Sequence, residues 1–210
     1  YNYAYIIPGF FIIIISGING PLHNSIVAVL TPIEGNKASE ILQNISLKII
    51  FLLFIIALLI FLNAELIINI LGPNLDNETK FIAARQLRIL SPCIPLSGFN
   101  GLSYGALNTK NKFFTSSISP IIVSIVSIIF ISIYWFFNLK NQIFNNLFYA
   151  ELLSIATLAG TFIQTIIQIY ETHKIGLIKF KFNLKKSFSE ETRIFNLIIP
   201  ASFSSGLGQI

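Results

Sequence analysis

Long apolar stretches separated by short polar connectors dominate the chain. The clearest are residues 49–62, 118–137 and 152–170; two longer ones, 3–30 and 81–107, are interrupted by glycine and proline. A further run begins at Phe195 and is still apolar when the sequence stops at Ile210. A bilayer core of roughly 30 Å takes about 20 mostly apolar residues per helix. Hydrocarbon offers the backbone no hydrogen bonds, so spanning segments of this kind are helices. The pattern predicts an all-α, polytopic transmembrane bundle of about five full helices and the start of a sixth.

Composition agrees. With 54% hydrophobic residues, 11% charged residues and a mean hydropathy of +0.75, there is too little polar surface to cover a soluble domain of this size. The sequence holds no Met, opens on Tyr1 within an apolar run and closes within another. Residues 1–210 therefore read as one transmembrane domain, an internal portion truncated at both ends. The single Cys93 rules out an internal disulfide framework and reads as a small buried residue beside two prolines. With His23 and His173 it has neither the spacing nor the carboxylates of a metal site, so no metal is expected.

The net charge of +5 is unevenly spread. Connectors 34–48 (Lys37, Lys48), around Lys110 and Lys112, and 173–193 (Lys174, Lys179, Lys181, Lys185, Lys186, Arg193) are basic. Connectors 72–80 and 138–146 are poorer in cations. Short basic loops stay in the cytoplasm, which places the first set inside and the second outside. In residues 177–182 cations alternate with Leu, Ile and Phe, a pattern that suits either anionic headgroups, at about 1 kcal/mol per basic residue, or a solvated loop that only fixes topology. Cations set between spans do not form a nucleic-acid surface.

Two segments are broken. Pro8, Gly9, Gly17, Gly20 and Pro21 interrupt 3–30, and Pro92, Pro95, Gly98, Gly101 and Gly105 interrupt 81–107. Interrupted helices at membrane depth line a cavity or act as hinges, while small residues also permit close helix packing. Pro8, Gly17, Gly20, Pro21, Pro92 and Pro95 are the hinge candidates. Polar residues gather at the same places, Ser16, Asn19, His23 and Asn24 in one segment and Ser97, Asn100, Ser103 and Asn108 in the other. In hydrocarbon they need partners, which implies a wet cavity or an inter-helix network.

Arg85 and Arg88, three apart on one helix face, are placed to hold a phosphate jointly or to reach the interface and pair with Glu65. Other chemistry is missing. The one aspartate, Asp76, lies in a connector, so no aspartate-rich site for Mg²⁺ and pyrophosphate can be assembled. No phosphate-binding GxxxxGK[ST] loop and no nucleophile with a positioned base occur. These residues point to transport or scaffolding rather than an enzyme, with no cofactor.

Leu-Arg-Ile-Leu-Ser-Pro at 87–92, Gly-Ala-Leu-Asn at 105–108, Asn111-Lys112-Phe113 and Ser119-Pro120 resemble the MurJ (MviN) family of lipid II flippases. Further matches fall in order: Gly20 and the apolar run ending at Leu30, Gly72-Pro73-Asn74-Leu75, then Gly160, Gln164, Gln168 and Ile175-Gly176, and finally Pro200-Ala201 with Gln209-Ile210. The resemblance covers essentially the whole chain and implies most of the N-terminal lobe of a two-lobed exporter, from its second helix to the start of its seventh.

What the resemblance implies is transport of lipid II, the undecaprenyl-pyrophosphate-linked precursor of peptidoglycan, from the inner to the outer leaflet of the bacterial plasma membrane. Lipid II and membrane lipids are then the partners, with cell-wall synthesis proteins as further ones. Asn19, His23, Asn24 and Gln209 become candidates for the cavity wall, and Arg85 and Arg88 for phosphate contacts. One departure stands out: Ile12 and Ile13 lie near positions where the family carries two arginines. Alternatives left open are an exporter of another lipid-linked oligosaccharide or of small molecules, and a membrane scaffold for cell-wall enzymes.

Overall fold

The computed structural model describes residues 1–17, 19–33, 35–141, 146–178 and 189–207. Gln209 and the cations at 179, 181, 185 and 186 lie outside them. The described residues form α1 (Asn2–Ser16), α2 (Pro21–Leu30), α3 (Asn36–Leu62), α4 (Ala64–Leu71), α5 (Asn77–Leu90), α6 (Cys93–Thr109), α7 (Phe113–Asn141), α8 (Asn146–Lys174) and α9 (Ser189–Leu207). No strand occurs among them, and the chain is the all-α bundle that its apolar pattern predicts.

Helices α3, α7 and α8 are long and apolar enough to cross a membrane singly. At 1.5 Å per residue, the 27 residues of α3 reach about 40 Å, beyond a hydrocarbon core of roughly 30 Å. The two interrupted segments are split into α1 with α2 and α5 with α6. Large apolar side chains on α3 and α7, among them Phe51, Leu62, Ile128 and Trp135, stand exposed where a bilayer would be their solvent.

The first joint runs from Gly17 to Pro21. Gly17 leaves the helix with ψ 146°, Asn19 takes φ 64°, and Pro21 opens α2 at a position where its missing N–H is no loss. Asparagine is among the few non-glycine residues that tolerate that left-handed conformation. Gly20 N–H closes the turn on Gly17 O at 2.7 Å. The second joint, Ser91-Pro92, is tighter, with the Ser91 N–H still bonded to Leu87 O at 2.9 Å. Pro95 falls in the first turn of α6, whereas Pro8 lies inside α1 and helix continues on both sides of it.

At the centre stands α6, packed against α1, α2, α3, α7 and α8. Its small residues allow this closeness. A Cβ on Gly105 would come within 2.7 Å of Ile26 Cβ and 2.8 Å of His23 O, so α2 rests directly on the α6 backbone. The longest contact is between α7 and α8, where a Cβ on Gly160 would come within 2.8 Å of Val123 Cα.

The sequence treats 34–48 as a connector, yet α3 already begins at Asn36. Ala38, Ile41, Leu42, Ile45 and Ile49 follow helical spacing and are buried. The buried polar residues between them, including Gln43 and Asn44, belong to a stretch that meets α9. Lys37 Nζ lies 2.6 Å from Glu190 Oε1 and Lys48 pairs with Glu191, which brings two of the basic connectors to the same end of the bundle. The 72–80 turn lies at the opposite end, with Asp76 capping α5 by accepting a hydrogen bond from the Thr79 N–H at 2.9 Å.

Candidate functional site

A cavity of about 440 Å³ opens among α1, α6, α7 and α8. Ile12, Ile13 and Gly17 form its α1 wall, so the cavity reaches the first joint. From α6 come Ser97, Asn100 and Tyr104, and from α8 Thr157, Thr161 and Gln164. The lining is uncharged and mostly apolar, with hydroxyl and amide groups set among Ile12, Ile13, Pro120 and Val123 and with tyrosines as its only titratable side chains.

Helix α8 supplies this polarity through spacing. Ser154, Thr157, Thr161, the adjacent Gln164 and Thr165, Gln168 and Thr172 recur every three or four residues and are all buried. The threonines satisfy themselves within the helix: Thr157 donates to Leu153 O at 2.7 Å, Thr161 to Thr157 O at 2.8 Å and Thr165 to Thr161 O at 2.8 Å. Across the cavity, Gln164 and Ser119 both donate to the Tyr104 hydroxyl, Ser119 at 3.2 Å. Asn100 Oδ1 is buried and accepts nothing from the described residues. A buried amide oxygen beside a cavity is an acceptor awaiting water or a ligand hydroxyl.

His23 lies elsewhere, in a network joining α2, α6 and α7. Its Nδ1 donates to Asn24 Oδ1 at 3.0 Å, and its Nε2 meets Asn108 Nδ2 at 2.6 Å. With the amide as donor, the ring is the Nδ1–H tautomer, an assignment made from partners. Ser116 Oγ completes the chain by donating to Asn108 Oδ1 at 3.0 Å. Asn24 Nδ2 donates to Asn19 O at 2.7 Å, so Asn19 and Asn24 brace the first joint; both side chains are exposed, and neither lines the cavity.

The two arginines do not converge. Arg85 Nε lies 2.7 Å from Glu151 Oε1 of α8, and Arg88 Nη2 lies 2.8 Å from Glu65 Oε1 of α4. Each guanidinium has its own carboxylate, and both pairs sit at the end opposite Lys37 and Lys48. The structure thus brings together Ser97, Asn100 and Gly17 from the sequence candidates and adds Tyr104, Thr157, Thr161 and Gln164. The periodic Thr and Gln positions in an otherwise apolar span were the available signal for α8.

Comparison with known proteins agrees with this architecture. The family model described as "Lipid II flippase MurJ" matches residues 1–210. A probable lipid II flippase MurJ of Synechocystis sp. is 32% identical over 211 residues, covering 99% of this chain and 39% of the relative. The lipid II flippase MurJ of Thermosipho africanus is 31% identical over 110 residues, 52% of this chain and 23% of that protein. A solved lipid II flippase MurJ in an inward closed conformation superposes with a TM-score of 0.75 at 25% identity, covering 99% of this chain and 41% of the other. The chain therefore spans about two-fifths of the length of the first relative and of the solved structure. A match over every residue, on a bundle with the same fold, makes this chain a multi-pass membrane protein of the lipid II flippase MurJ family.

Proposed function

We propose that the whole protein moves lipid II from the inner to the outer leaflet of a bacterial plasma membrane by alternating access, with no covalent change to the cargo. The observation that carries this reading is the uncharged cavity, part polar and part apolar, sunk among four helices of a membrane bundle and reaching a broken helix. The names of the relatives support it. The relatives are much longer than this chain, and the remainder of the full protein would supply the other walls.

Hydroxyl and amide groups of a disaccharide-peptide need donors and acceptors that water would otherwise provide. Asn100, Thr157, Thr161 and Gln164 offer them at membrane depth. The Gly17–Pro21 joint and the Pro92–Pro95 turn are suited to absorb the rotations of rocking lobes, with the prenyl tail staying in lipid. The basic end faces the cytoplasm on this reading, because short loops rich in Lys and Arg are retained there. The Lys37–Glu190 and Lys48–Glu191 pairs then tie α3 to α9 across the inner mouth.

A second reading rests on Ile12 and Ile13, which line the cavity where arginines would grip a pyrophosphate. A neutral wall also fits a different lipid-linked saccharide. Depleting the full protein in its own cell separates the two, with outer-leaflet lipid II scored by an externally added cleaving toxin. Loss of accessible lipid II while total lipid II rises supports flipping; unchanged accessibility moves the assignment to another cargo.

A further inference from the structure

A groove of about 670 Å³ runs along the outside of the bundle between α3, the Ser91-Pro92 joint and α8. Phe54, Leu58 and Phe61 form one rim and Phe162 the other, all roughly half exposed, over a floor that includes Ala57, Leu158 and Ala159. Apart from Ser91, every lining residue is apolar, and the Ser91 hydroxyl turns back to donate to Arg88 O at 3.0 Å. Water would find no partners there, whereas a flexible hydrocarbon chain would. From Phe54 to Phe61 the groove follows α3 for about 10 Å.

Beyond Phe61 and Ser91 the wall turns polar. A recess of about 490 Å³ begins at Leu62 and Arg88, the next residue along α3 and the residue one turn back along α5. Asn63, Glu65 and Asn69 share it with Arg88. The Arg88–Glu65 pair is part-exposed, so its partners can be exchanged for a ligand's charges at small expense in free energy. A cation and a carboxylate side by side at the head of an apolar groove match a phosphate beside a primary ammonium.

We propose that groove and recess together bind a zwitterionic, ethanolamine-type phospholipid of the leaflet opposite the basic connectors. One acyl chain lies between Phe61 and Phe162, the phosphate meets Arg88 and the ammonium meets Glu65. The site is separate from the polar cavity and does not depend on what that cavity carries.

The test uses the full-length protein in phosphatidylcholine vesicles containing chain-spin-labelled phosphatidylethanolamine, phosphatidylcholine or phosphatidylglycerol. The motionally restricted fraction is expected to be roughly threefold larger for the ethanolamine lipid, the scale of one part-exposed charge contact. Ala159→Trp, which fills the groove, should reduce restriction of all three lipids; Leu158→Trp serves the same end if that variant does not fold. Glu65→Gln should abolish the ethanolamine preference while leaving chain binding in place. No preference in the native protein, a preference for the glycerol headgroup, or an E65Q variant with its preference intact would each overturn the assignment. So would insensitivity to groove filling, the result expected if another part of the full chain covers this face, and displacement of the label by a polyprenyl diphosphate.

Discussion

Lys48 of α3 pairs with Glu191 of α9 across the basic end of the bundle, on a carboxylate that also accepts a hydrogen bond from Asn44 Nδ2 at 3.3 Å. Glu191 is 2% exposed, so removing one partner leaves a buried carboxylate short of the contacts that offset its burial. Lys48→Met is expected to lower stability by on the order of 2 kcal/mol, between the values for exposed and buried pairs. Adding Glu191→Gln should recover much of the loss. Thermal unfolding of the native protein, both single variants and the double variant checks this, and simple additivity would show that the pair is uncoupled.

Two carboxylates outside the spans give the molecule an acid dependence. Hydrogen bonds from Thr79 hold Asp76 below its ordinary 3.8, and the Lys37 hydrogen bond holds Glu190 below 4.5. Folding lowers both, so the folded state binds fewer protons. Their stabilisation is complete above the unfolded values and disappears as pH falls through the folded ones. The stability gap between the native protein and Asp76→Ala should therefore be open at neutral pH and close in acid, read as melting temperature across a pH series. A gap that widens in acid would contradict the cap.

At Gly105 the bundle has no room. An added methyl sits 2.7 Å from Ile26 Cβ and 2.8 Å from a backbone oxygen, so α2 has to move. Gly105→Ala should destabilise by about 1–3 kcal/mol, the usual range for overpacking, and Gly105→Leu by more. Unfolding in detergent measures it.

Asn100→Leu should behave in the opposite way. Removing a buried oxygen that accepts nothing from the described residues is expected to leave stability unchanged or higher. Transport should nevertheless fall roughly tenfold, the scale of one lost hydrogen bond to cargo. Toxin-accessible lipid II and melting temperature, measured on the same variant, separate the effects.

Apolar runs made the bundle legible because lipid dictates helix wherever charge is absent, and the prolines and glycines marked both joints. The start of α3 was harder to see. Lys37, Glu40 and Lys48 look like a connector, while the helical spacing of Ala38, Ile41, Leu42 and Ile45 lies beneath them. Ser97 and Asn100 stood out as polar residues in a broken segment. Asn19 and Asn24 stood out for the same reason but fold into the first joint, a backbone geometry that residue type alone does not reveal. Arg85 and Arg88 share a face, yet their partners come from two different helices distant in sequence.

The threonine ladder on α8 has a consequence for turnover. Because Thr157, Thr161 and Thr165 spend their protons on carbonyls of their own helix, these three hydroxyls are no unmet donors when the cavity is empty. Their oxygens can greet a sugar without having to be rescued by one. On the proposed transport function, a surface content in both conditions would hold its cargo loosely, and loose holding is what would let the carrier return empty.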